Sequence, residues 1–247
     1  MSAHAVRFGW AQVVLGLGLL AAAGWLGGPA WVLTWPAVAV IVVGTGYLGL
    51  GPGVFGKRSD GSLRWPLFAL LLPYHAVAWM RLRWDALVHR EPLWNEVAPG
   101  LFLGRIVPPA AMPPGTTVVV DLTAEFEVSP ETRISRAYHC LPALDTSVPR
   151  YEEFAALARA LAAHPGPIYV HCAAGHGRSA AFAAALLVTR GLATGADDAE
   201  AVLRRARPAV RLHRGQHAML ARFAAESRRT PDPETTGSTL GPPRPLS

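Results

Sequence analysis

Residues 8–56 form an uninterrupted segment without a single Asp, Glu, Lys, Arg or His. Only 16% of the whole chain is charged, against about 25% in an ordinary soluble domain, and the shortage is concentrated in this segment. The chain is therefore not a single soluble domain but an uncharged N-terminal part joined to a normally charged remainder. That remainder, about 190 residues, is long enough for one compact domain with its own core.

The uncharged segment contains two apolar stretches, residues 10–26 and 30–50, separated by a short Gly-Pro turn. A helix that crosses the hydrocarbon layer needs about 20 apolar residues. Trp25 and Trp31 lie near the ends of the stretches, where amphipathic rings favour the membrane interface. We therefore predict two transmembrane helices within residues 1–56. A buried helix pair and a cleaved signal peptide are the alternatives, and after cleavage the second stretch would still anchor the chain.

A third apolar stretch, residues 63–84, is interrupted by two prolines and His75 and contains Arg81 and Arg83 near its end. This composition fits a third span, a re-entrant segment or a basic, Trp-rich helix that lies in the interface. Residues 57–90 are accordingly predicted to be a basic juxtamembrane segment or a third membrane segment.

The charges that flank the apolar stretches predict which side of the membrane the rest of the chain occupies. Cytoplasmic flanks carry an excess of Lys and Arg; Arg7 precedes the first stretch, and Lys57, Arg58 and Arg64 follow the second. Two spans with both ends inside fit this distribution and predict a multi-pass protein of the cell membrane with a cytoplasmic globular domain. A third span would reverse the side.

The net charge of +6 invites comparison with nucleic-acid-binding proteins. Basic residues stand beside acidic ones or near the apolar segment, without an uninterrupted basic run, so we expect no nucleic-acid partner. The lipid bilayer and an anionic substrate are better partners for this charge.

From residue 91 onward, apolar strands alternate with amphipathic helices. This alternation predicts an α/β domain over residues 91–226, with a mainly parallel central sheet flanked by helices. The strands are predicted at residues 101–103, 117–122, 138–141 and 167–170, and the helices at residues 151–164, 179–190, 194–207 and 215–223. Thr194 and Asp197 are expected to form a capping box. Residues 227–247, rich in Pro, Thr, Ser and Gly, are predicted to be a disordered tail.

One segment of this domain has the composition of a catalytic site. An apolar strand ends in His171 and Cys172, and the five residues Ala-Ala-Gly-His-Gly connect the cysteine to Arg178 and Ser179 at the start of a helix. A helix N-terminus stabilises a thiolate, and its backbone N–H groups form a nest for a tetrahedral oxyanion. Glycines let the backbone close around the anion, and an arginine can hold two of its oxygens. The segment therefore predicts a nucleophile beneath a bound phosphate. The alternatives are a small buried cysteine beside a helix cap and a zinc site, for which His171, Cys172 and His176 lack a standard ligand spacing.

The string HCAAGHGRS resembles the HCxxGxxR(S/T) loop of the cysteine-dependent protein tyrosine phosphatase superfamily, and the domain is similar in size to its dual-specificity branch. NEVAPGLFLGR resembles the opening strand region of dual-specificity phosphatases, VVVDLTAE their next core strand, and LPALDTSVP their general-acid loop. RPAVRLHRGQ resembles the segment after the penultimate helix in lipid-directed relatives. The resemblance covers residues 91–223 and implies the dual-specificity phosphatase fold, without a metal or other cofactor.

The resemblance also implies roles for the residues of the loop. Cys172 would be the nucleophile that takes the phosphoryl group, Ser179 would hydrogen-bond its thiolate, and His171 would help to order the loop. The phosphate and its transition state would be held by backbone N–H groups and the guanidinium of the following residues: Ala173, Ala174, Gly175, His176, Gly177 and Arg178.

A phosphatase of this type needs a general acid for the leaving oxygen. Asp145, 27 residues before Cys172 in a loop with prolines on both sides, is assigned this role, and Asp121 at the end of a buried strand is the alternative. Gln216 is expected to position the attacking water. Cys140 is expected to be a buried strand cysteine, and a reversible disulfide with Cys172, as in relatives with a backdoor cysteine, is the alternative.

Together these residues predict a membrane-anchored phosphatase of dual-specificity type that acts through a cysteinyl-phosphate intermediate. Its substrate would be a phosphorylated protein or a phospholipid, such as phosphatidylglycerophosphate or a phosphoinositide, and the anchor favours a lipid slightly. A phospho-binding module without turnover and a sulfur transferase are alternatives. The intact Cys172, Arg178 and Asp145 disfavour the first, and the five-residue gap between cysteine and arginine disfavours the second.

Overall fold

The structure, a computed structural model, describes residues 3–89 and 91–229. It begins with an apolar helix, α1 (Ala3–Leu26). A 3₁₀ turn then leads into a second apolar helix, α2 (Thr34–Thr45), and irregular helical turns continue to Phe55.

Two helical stretches, His4–Leu26 and Gly28–Phe55, have the length and apolar composition to cross a membrane. Only 17% and 33% of their most apolar windows are buried within the chain, whereas the core helix of a soluble domain would be mostly buried. The helices approach each other closely, because a Cβ on Gly16 or Gly44 would lie 2.7 or 2.8 Å from a backbone oxygen of the other helix. Length, composition and exposure therefore agree with the prediction of two spans.

The third apolar stretch folds as a short helix, α3 (Trp65–Leu70), followed by α4 (Leu72–His89). Neither is among the described helices that are long and apolar enough to span a membrane. Helix α4 exposes apolar side chains at helical spacing, namely Val77, Met80, Trp84, Leu87 and Val88. An exposed apolar face of this kind is what the interfacial alternative requires.

The charged remainder is an α/β domain built on one five-stranded sheet. Its strands are β1 (Trp94–Ala98), β2 (Leu101–Arg105), β3 (Val118–Thr123), β4 (Ala137–Ala143) and β5 (Ile168–Cys172). The spatial order is β1-β2-β5-β3-β4, in which only the β1–β2 pair is antiparallel. The prediction of a mainly parallel sheet is confirmed, and β1 has no counterpart among the predicted strands.

Five helices surround the sheet: α5 (Pro130–Ser135), α6 (Tyr151–Ala162), α7 (Arg178–Thr189), α8 (Ala196–Ala206) and α9 (Arg214–Arg229). Helix α7 is the central one, since every residue from 178 to 187 is buried. Phe154 of α6 meets Phe182 of α7 and Phe223 of α9 edge to face, with ring centroids 5.3 and 5.9 Å apart. This core fixes the start of α7, where the cysteine loop ends.

The C-terminal part differs from the sequence prediction in two details. Helix α8 starts at Ala196, two residues later than predicted, and Asp198 rather than Asp197 accepts hydrogen bonds from Thr194, at 2.8 and 3.1 Å. The last helix continues to Arg229, so residues 227–229 are helical where a tail was predicted. The rest of that tail, residues 230–247, lies outside the described residues.

The N-terminal helices share a core with the α/β domain. Apolar side chains of α2 and of the turns that follow it, among them Ala39, Val43 and Tyr47, pack with Ala124 and Leu144. Ala124 follows β3 and Leu144 follows β4, so the helices lie against the carboxyl edge of the sheet. Parallel α/β proteins bind their ligands at this edge.

Candidate active site

The cysteine loop, residues 172–178, joins the end of β5 to the start of α7. The Cys172 Sγ accepts hydrogen bonds from the Gly175 N–H and the Ser179 hydroxyl, both at 3.2 Å. Cys172 is buried, as is Ser179. Two donors aimed at the sulfur stabilise a thiolate, so the structure brings Cys172 and Ser179 together as the sequence predicts.

Four consecutive carbonyl groups of the cysteine loop, those of residues 173–176, are held by hydrogen bonds on its outer side. The Ala173 carbonyl accepts from the Ile106 N–H at 3.3 Å, and the His176 carbonyl accepts from the Arg211 N–H at 3.2 Å. The Ala174 and Gly175 carbonyls accept from Nη2 and Nε of Arg207, at 3.1 Å each. In a trans peptide the N–H points away from the C=O. The N–H groups of residues 174–177 therefore point into the loop, where they form an anion-binding nest.

Gly175 is needed for this shape. Its φ is +83°, and a Cβ at this position would lie 2.5 Å from the carbonyl carbon of Gly104. Gly177 is less constrained, since its Cβ would meet only the side chain of Gln216, at 3.2 Å or more.

The Arg178 guanidinium is held by Glu125, which the sequence analysis did not assign to the site. Nη1 and Nη2 donate to the two carboxylate oxygens at 2.8 and 2.7 Å, and Nη1 also donates to the Ala143 carbonyl at 2.8 Å. Burial alone would lower the pKa of Arg178, but the charge and hydrogen bonds of Glu125 raise it well above its ordinary value. The Nε–H is buried without a hydrogen-bond partner among the described residues, and it is available to donate to a bound anion.

Asp145 lies at the mouth of the site, with one carboxylate oxygen 3.6 Å from Arg178 Nη2 and most of its side chain exposed. The next residue, Thr146, has a φ of +60°, a conformation that β-branched residues rarely adopt. Ser147 closes the turn through a hydrogen bond from its N–H to the Leu144 carbonyl at 3.0 Å. Backbone strain of this kind is often retained where a loop presents a functional side chain.

Asp121, the alternative general acid, lies in a different environment. It is fully buried and paired with Lys57 at 2.6 Å, and it accepts a hydrogen bond from the Tyr138 hydroxyl at 2.7 Å. Burial opposes its ionisation, but Lys57, His171 and these hydrogen bonds keep its pKa at about 2. Asp121 is buried and already held by Lys57 and Tyr138, whereas Asp145 is exposed beside Arg178, so the geometry favours Asp145.

His171 and Gln216 lie beside the cysteine loop in different environments. The His171 ring is buried and stacks on Tyr169 at 5.6 Å, and burial lowers its pKa. Its Nδ1 lies 3.9 Å from Asp121, beyond hydrogen-bond distance. Gln216 donates to the Ser147 carbonyl at 3.1 Å and lies against Gly177, so it joins the loop of Asp145 to the cysteine loop.

Arg207 is a second residue that the sequence analysis left without a role. Burial lowers its pKa, and its guanidinium donates to the Ala174 and Gly175 carbonyls and to Glu91 at 3.1 Å each. It also donates to Pro92 and Asn95, both at 2.9 Å. Arg207 is the first residue of RPAVRLHRGQ, and Glu125 is the last residue of VVVDLTAE. The resemblance of these two segments to the family is the signal that could have indicated both residues.

Cys140 lies on β4 and is separated from β5 by the intervening strand β3. Neighbouring strands are about 4.8 Å apart, so its Cα is about 10 Å from β5, whereas disulfides need a Cα separation below about 7 Å. Burial raises the pKa of its thiol to about 11. Both cysteines are free, and this backbone does not support the backdoor disulfide.

Within the described residues, no group of three or more His, Cys, Asp and Glu side chains is arranged to hold a metal ion. The donors that converge on the site are instead backbone N–H groups and one guanidinium. Such a set binds an oxyanion rather than a cation.

A cysteine loop of this geometry, between a parallel strand and a buried helix, is characteristic of the cysteine-dependent protein tyrosine phosphatase superfamily. Residues 110–238 match the sequence model of the PTP-SAK family, described as Swiss Army Knife protein, DSP-PTPase phosphatase domain. The chain belongs to this family, and it contains a phosphatase domain of the dual-specificity type.

Several solved structures are similar to about half of the chain. Human DUSP28 is 24% identical, with 56% of this chain and 97% of its own covered and a TM-score of 0.47. The human tyrosine phosphatase-like serine/threonine/tyrosine-interacting protein is 25% identical over 55% and 98%, with a TM-score of 0.47. PTPMT1 in complex with PI(5)P is 18% identical over 56% and 97%, with a TM-score of 0.48. A comparison with curated proteins found no match.

Proposed function

We propose that this protein is a membrane-anchored hydrolase of phosphomonoesters that works through a cysteinyl-phosphate intermediate. The observation that carries the proposal is the Cys172 sulfur, which accepts two hydrogen bonds at the floor of a loop whose N–H groups point inward. A phosphoryl group bound by those N–H groups would have its phosphorus above the sulfur, in line for attack.

In the first step, the Cys172 thiolate attacks phosphorus, an S–P bond forms and the P–O bond to the leaving group breaks. Protonated Asp145 gives its proton to the leaving oxygen. The Nε–H of Arg178 and the loop N–H groups bind the equatorial oxygens, on which charge grows. Because Glu125 holds both Nη atoms, the guanidinium is oriented before the substrate arrives.

In the second step, water attacks the cysteinyl phosphate from the side that the leaving group has vacated. Ionised Asp145 takes a proton from the water, and Gln216 orients that water from its position between the two loops. The S–P bond breaks, inorganic phosphate leaves, and the sulfur departs as a thiolate that the Ser179 hydroxyl stabilises.

The test uses the purified full chain in detergent micelles. It should hydrolyse an aryl phosphate without added metal, and vanadate should inhibit it. Cys172→Ser should abolish turnover, whereas Cys140→Ser, the matched change at the other cysteine, should retain it. Activity in Cys172→Ser would refute the intermediate, and a wild-type protein that binds vanadate without any turnover would favour the phospho-binding module.

We also propose that residues 3–55 anchor the enzyme in the cell membrane with the phosphatase domain on the cytoplasmic side. The exposed apolar helices support the anchor. Lys57 no longer counts as flanking charge, because its side chain is buried against Asp121; Arg7, Arg58 and Arg64 still support the orientation. Membrane fractionation, followed by labelling of tags at both ends with an impermeant reagent, tests both parts.

A phospholipid is the substrate class that the structure favours over a phosphoprotein. The supporting observation is that the apolar helices pack on Ala124 and Leu144, the residues next to Glu125 and Asp145, so the site lies beside the predicted bilayer. Turnover of phosphatidylglycerophosphate, phosphoinositides and phosphotyrosyl peptides in mixed micelles would decide between them. Faster turnover of the peptides would contradict the lipid assignment.

A further inference from the structure

Two tyrosines of the N-terminal part lie beside the candidate active site. Tyr47, in the turns that follow α2, is 5% exposed and belongs to the same packed cluster as Leu144, the residue before the proposed general acid. Tyr74, near the start of α4, packs against that cluster. Aromatic neighbours hold both rings: Tyr47 meets Phe8 edge to face with centroids 4.7 Å apart, and the Tyr74 ring lies 5.6 Å from that of Phe55.

The hydroxyls of Tyr47 and Tyr74 have no hydrogen-bond partner among the described residues. The chain has five tyrosines, and the hydroxyls of the other three donate within it: Tyr138 to Asp121, Tyr151 to Glu226 and Tyr169 to the Arg105 carbonyl. Neither free hydroxyl is among the described polar atoms that are fully buried without a partner, so both retain accessible surface. Each therefore has one donor and an acceptor that the folded chain leaves unused.

The charges that act on each hydroxyl indicate which way it faces. Asp145 is the charged side chain that acts most strongly on the Tyr47 hydroxyl, ahead of Glu125 and Arg178. Burial, followed by the negative charge of Glu125, raises the pKa of Tyr74, whereas Arg178 lowers it. Such effects weaken with distance. Both hydroxyls therefore face the candidate site, and Tyr47 lies on the side of Asp145.

The position of Tyr47 is that of a group beside the leaving part of the substrate. Asp145 must reach the leaving oxygen to protonate it, so a hydroxyl next to Asp145 borders the space that the leaving group occupies. Two hydroxyls that both donate and accept suit a leaving group with hydroxyl groups of its own. The ring of a phosphotyrosine offers no such groups, and hydroxyls desolvated against it would remain unpaired.

We propose that Tyr47 and Tyr74 are specificity-determining residues, whose hydroxyls hydrogen-bond to the alcohol part of a substrate that has a polyol leaving group. The N-terminal part then supplies a wall of the active site as well as the anchor. The inference rests on the proposed phosphatase function and narrows its substrate class to phosphomonoesters of a hydroxyl-bearing alcohol.

The test compares two substrates that differ only in hydroxyl groups, glycerol 3-phosphate and n-propyl phosphate, with the full chain in detergent micelles. Tyr47→Phe keeps the ring and removes only the hydroxyl. It should lower the preference for glycerol 3-phosphate, as a ratio of kcat/KM, about five- to tenfold, the equivalent of one hydrogen bond. The loss should appear mainly in KM, because the contact is made both before and in the transition state. Tyr74→Phe should lower the same ratio.

The controls separate recognition of the leaving group from a loss of stability. Tyr151→Phe also removes one hydroxyl, which donates to Glu226 at 2.5 Å, and should leave the ratio unchanged. Since the hydroxyls of Tyr47 and Tyr74 have no partner within the described residues, their removal should not lower the midpoint of urea unfolding.

Two results would overturn the proposal: an unaltered ratio in both Tyr47→Phe and Tyr74→Phe, or an equal loss of kcat/KM on the two substrates. A wild-type protein that does not hydrolyse even an aryl phosphate would instead refute the phosphatase function itself.

Discussion

Replacing Lys57 by methionine tests how firmly the N-terminal helices are joined to the phosphatase domain. Lys57 directly follows the uncharged segment, and its Nζ donates to Asp121 Oδ2 at 2.6 Å and to the carbonyl and hydroxyl of Thr123 at 2.7 Å each. Both side chains of the ion pair are buried, with exposures of 1% and 0%. Methionine is one atom shorter than lysine, keeps the unbranched shape and removes the charge, so the Asp121 carboxylate would remain buried without a cation.

The expected loss of unfolding free energy can be worked out in two ways, from the cost of breaking a buried ion pair and from the pKa of Asp121. Removing one partner of a buried ion pair costs about 3–5 kcal/mol. The pKa of Asp121, which burial alone would raise, is held at about 2 by Lys57 and its other partners, below the ordinary 3.8; this lowering corresponds to about 2–3 kcal/mol. We therefore expect Lys57→Met to lower the free energy of unfolding by at least about 2 kcal/mol near pH 7.

The pH dependence separates the lost charge pair from lost packing. In the wild type the folded-state pKa of Asp121 lies below the unfolded value, so its contribution is present above about pH 4 and is lost as the pH falls towards 2. In Lys57→Met, burial without the cation raises the folded-state pKa above the unfolded value, so protonation stabilises the variant. The difference in unfolding free energy between the two proteins should therefore shrink as the pH falls from about 7 to about 4.

Urea unfolding of the full chain in one fixed detergent, followed by tryptophan fluorescence over this pH range, measures the effect. A Lys57→Met/Asp121→Asn double variant removes both charges and should recover part of the loss. Arg58→Met, the exposed neighbour, is the matched control and should change little. A loss below about 1 kcal/mol, or a difference that grows as the pH falls, would show that the ion pair does not join the two parts.

Three further changes test the site itself. Glu125→Gln keeps the side-chain shape but removes the charge that faces the Arg178 fork, so kcat/KM for an aryl phosphate should fall about tenfold or more in steady-state kinetics. Gly175→Ala would place a Cβ 2.5 Å from the carbonyl carbon of Gly104, so the inhibition constant of vanadate should rise by about tenfold or more; an unchanged constant would mean that the loop does not bind the anion. Asp145→Ala should slow alkyl phosphates more than nitrophenyl phosphates, whose leaving oxygen needs no proton, and an equal loss across the series would assign the general acid elsewhere.

The parts of the fold that could be predicted from sequence are those whose burial leaves a local pattern. Strand β3 is buried at every position and reads as a continuous apolar run. Strand β1 is only partly buried and pairs on one side alone, so no alternation marks it. Helix α5 is six residues long and has Ile134 85% exposed, which leaves no apolar face for a sequence pattern to show.

The residues of the candidate site also differ in whether the sequence indicates them. The residues from Cys172 to Ser179 are contiguous, so one short motif indicates the geometry that the loop needs. Glu125 meets Arg178 across 53 residues, Arg207 meets Gly175 across 32, and Lys57 meets Asp121 across 64. These three partners are defined by how the strands and helices pack, and no local spacing in the sequence indicates them.

The boundary between the uncharged segment and the charged remainder of the sequence is not a boundary between separately packed parts of the folded chain. Lys57, the first charged residue after the uncharged segment, is buried against Asp121. Apolar helices that the sequence assigns to the membrane share a core with Ala124 and Leu144, the neighbours of Glu125 and Asp145. Without residues 3–57 an apolar face would open beside the site, and Asp121 on β3 would lose its cation. A fragment that starts at residue 91 is therefore a poor substitute for the full chain, because the N-terminal helices and the candidate site are coupled through packing.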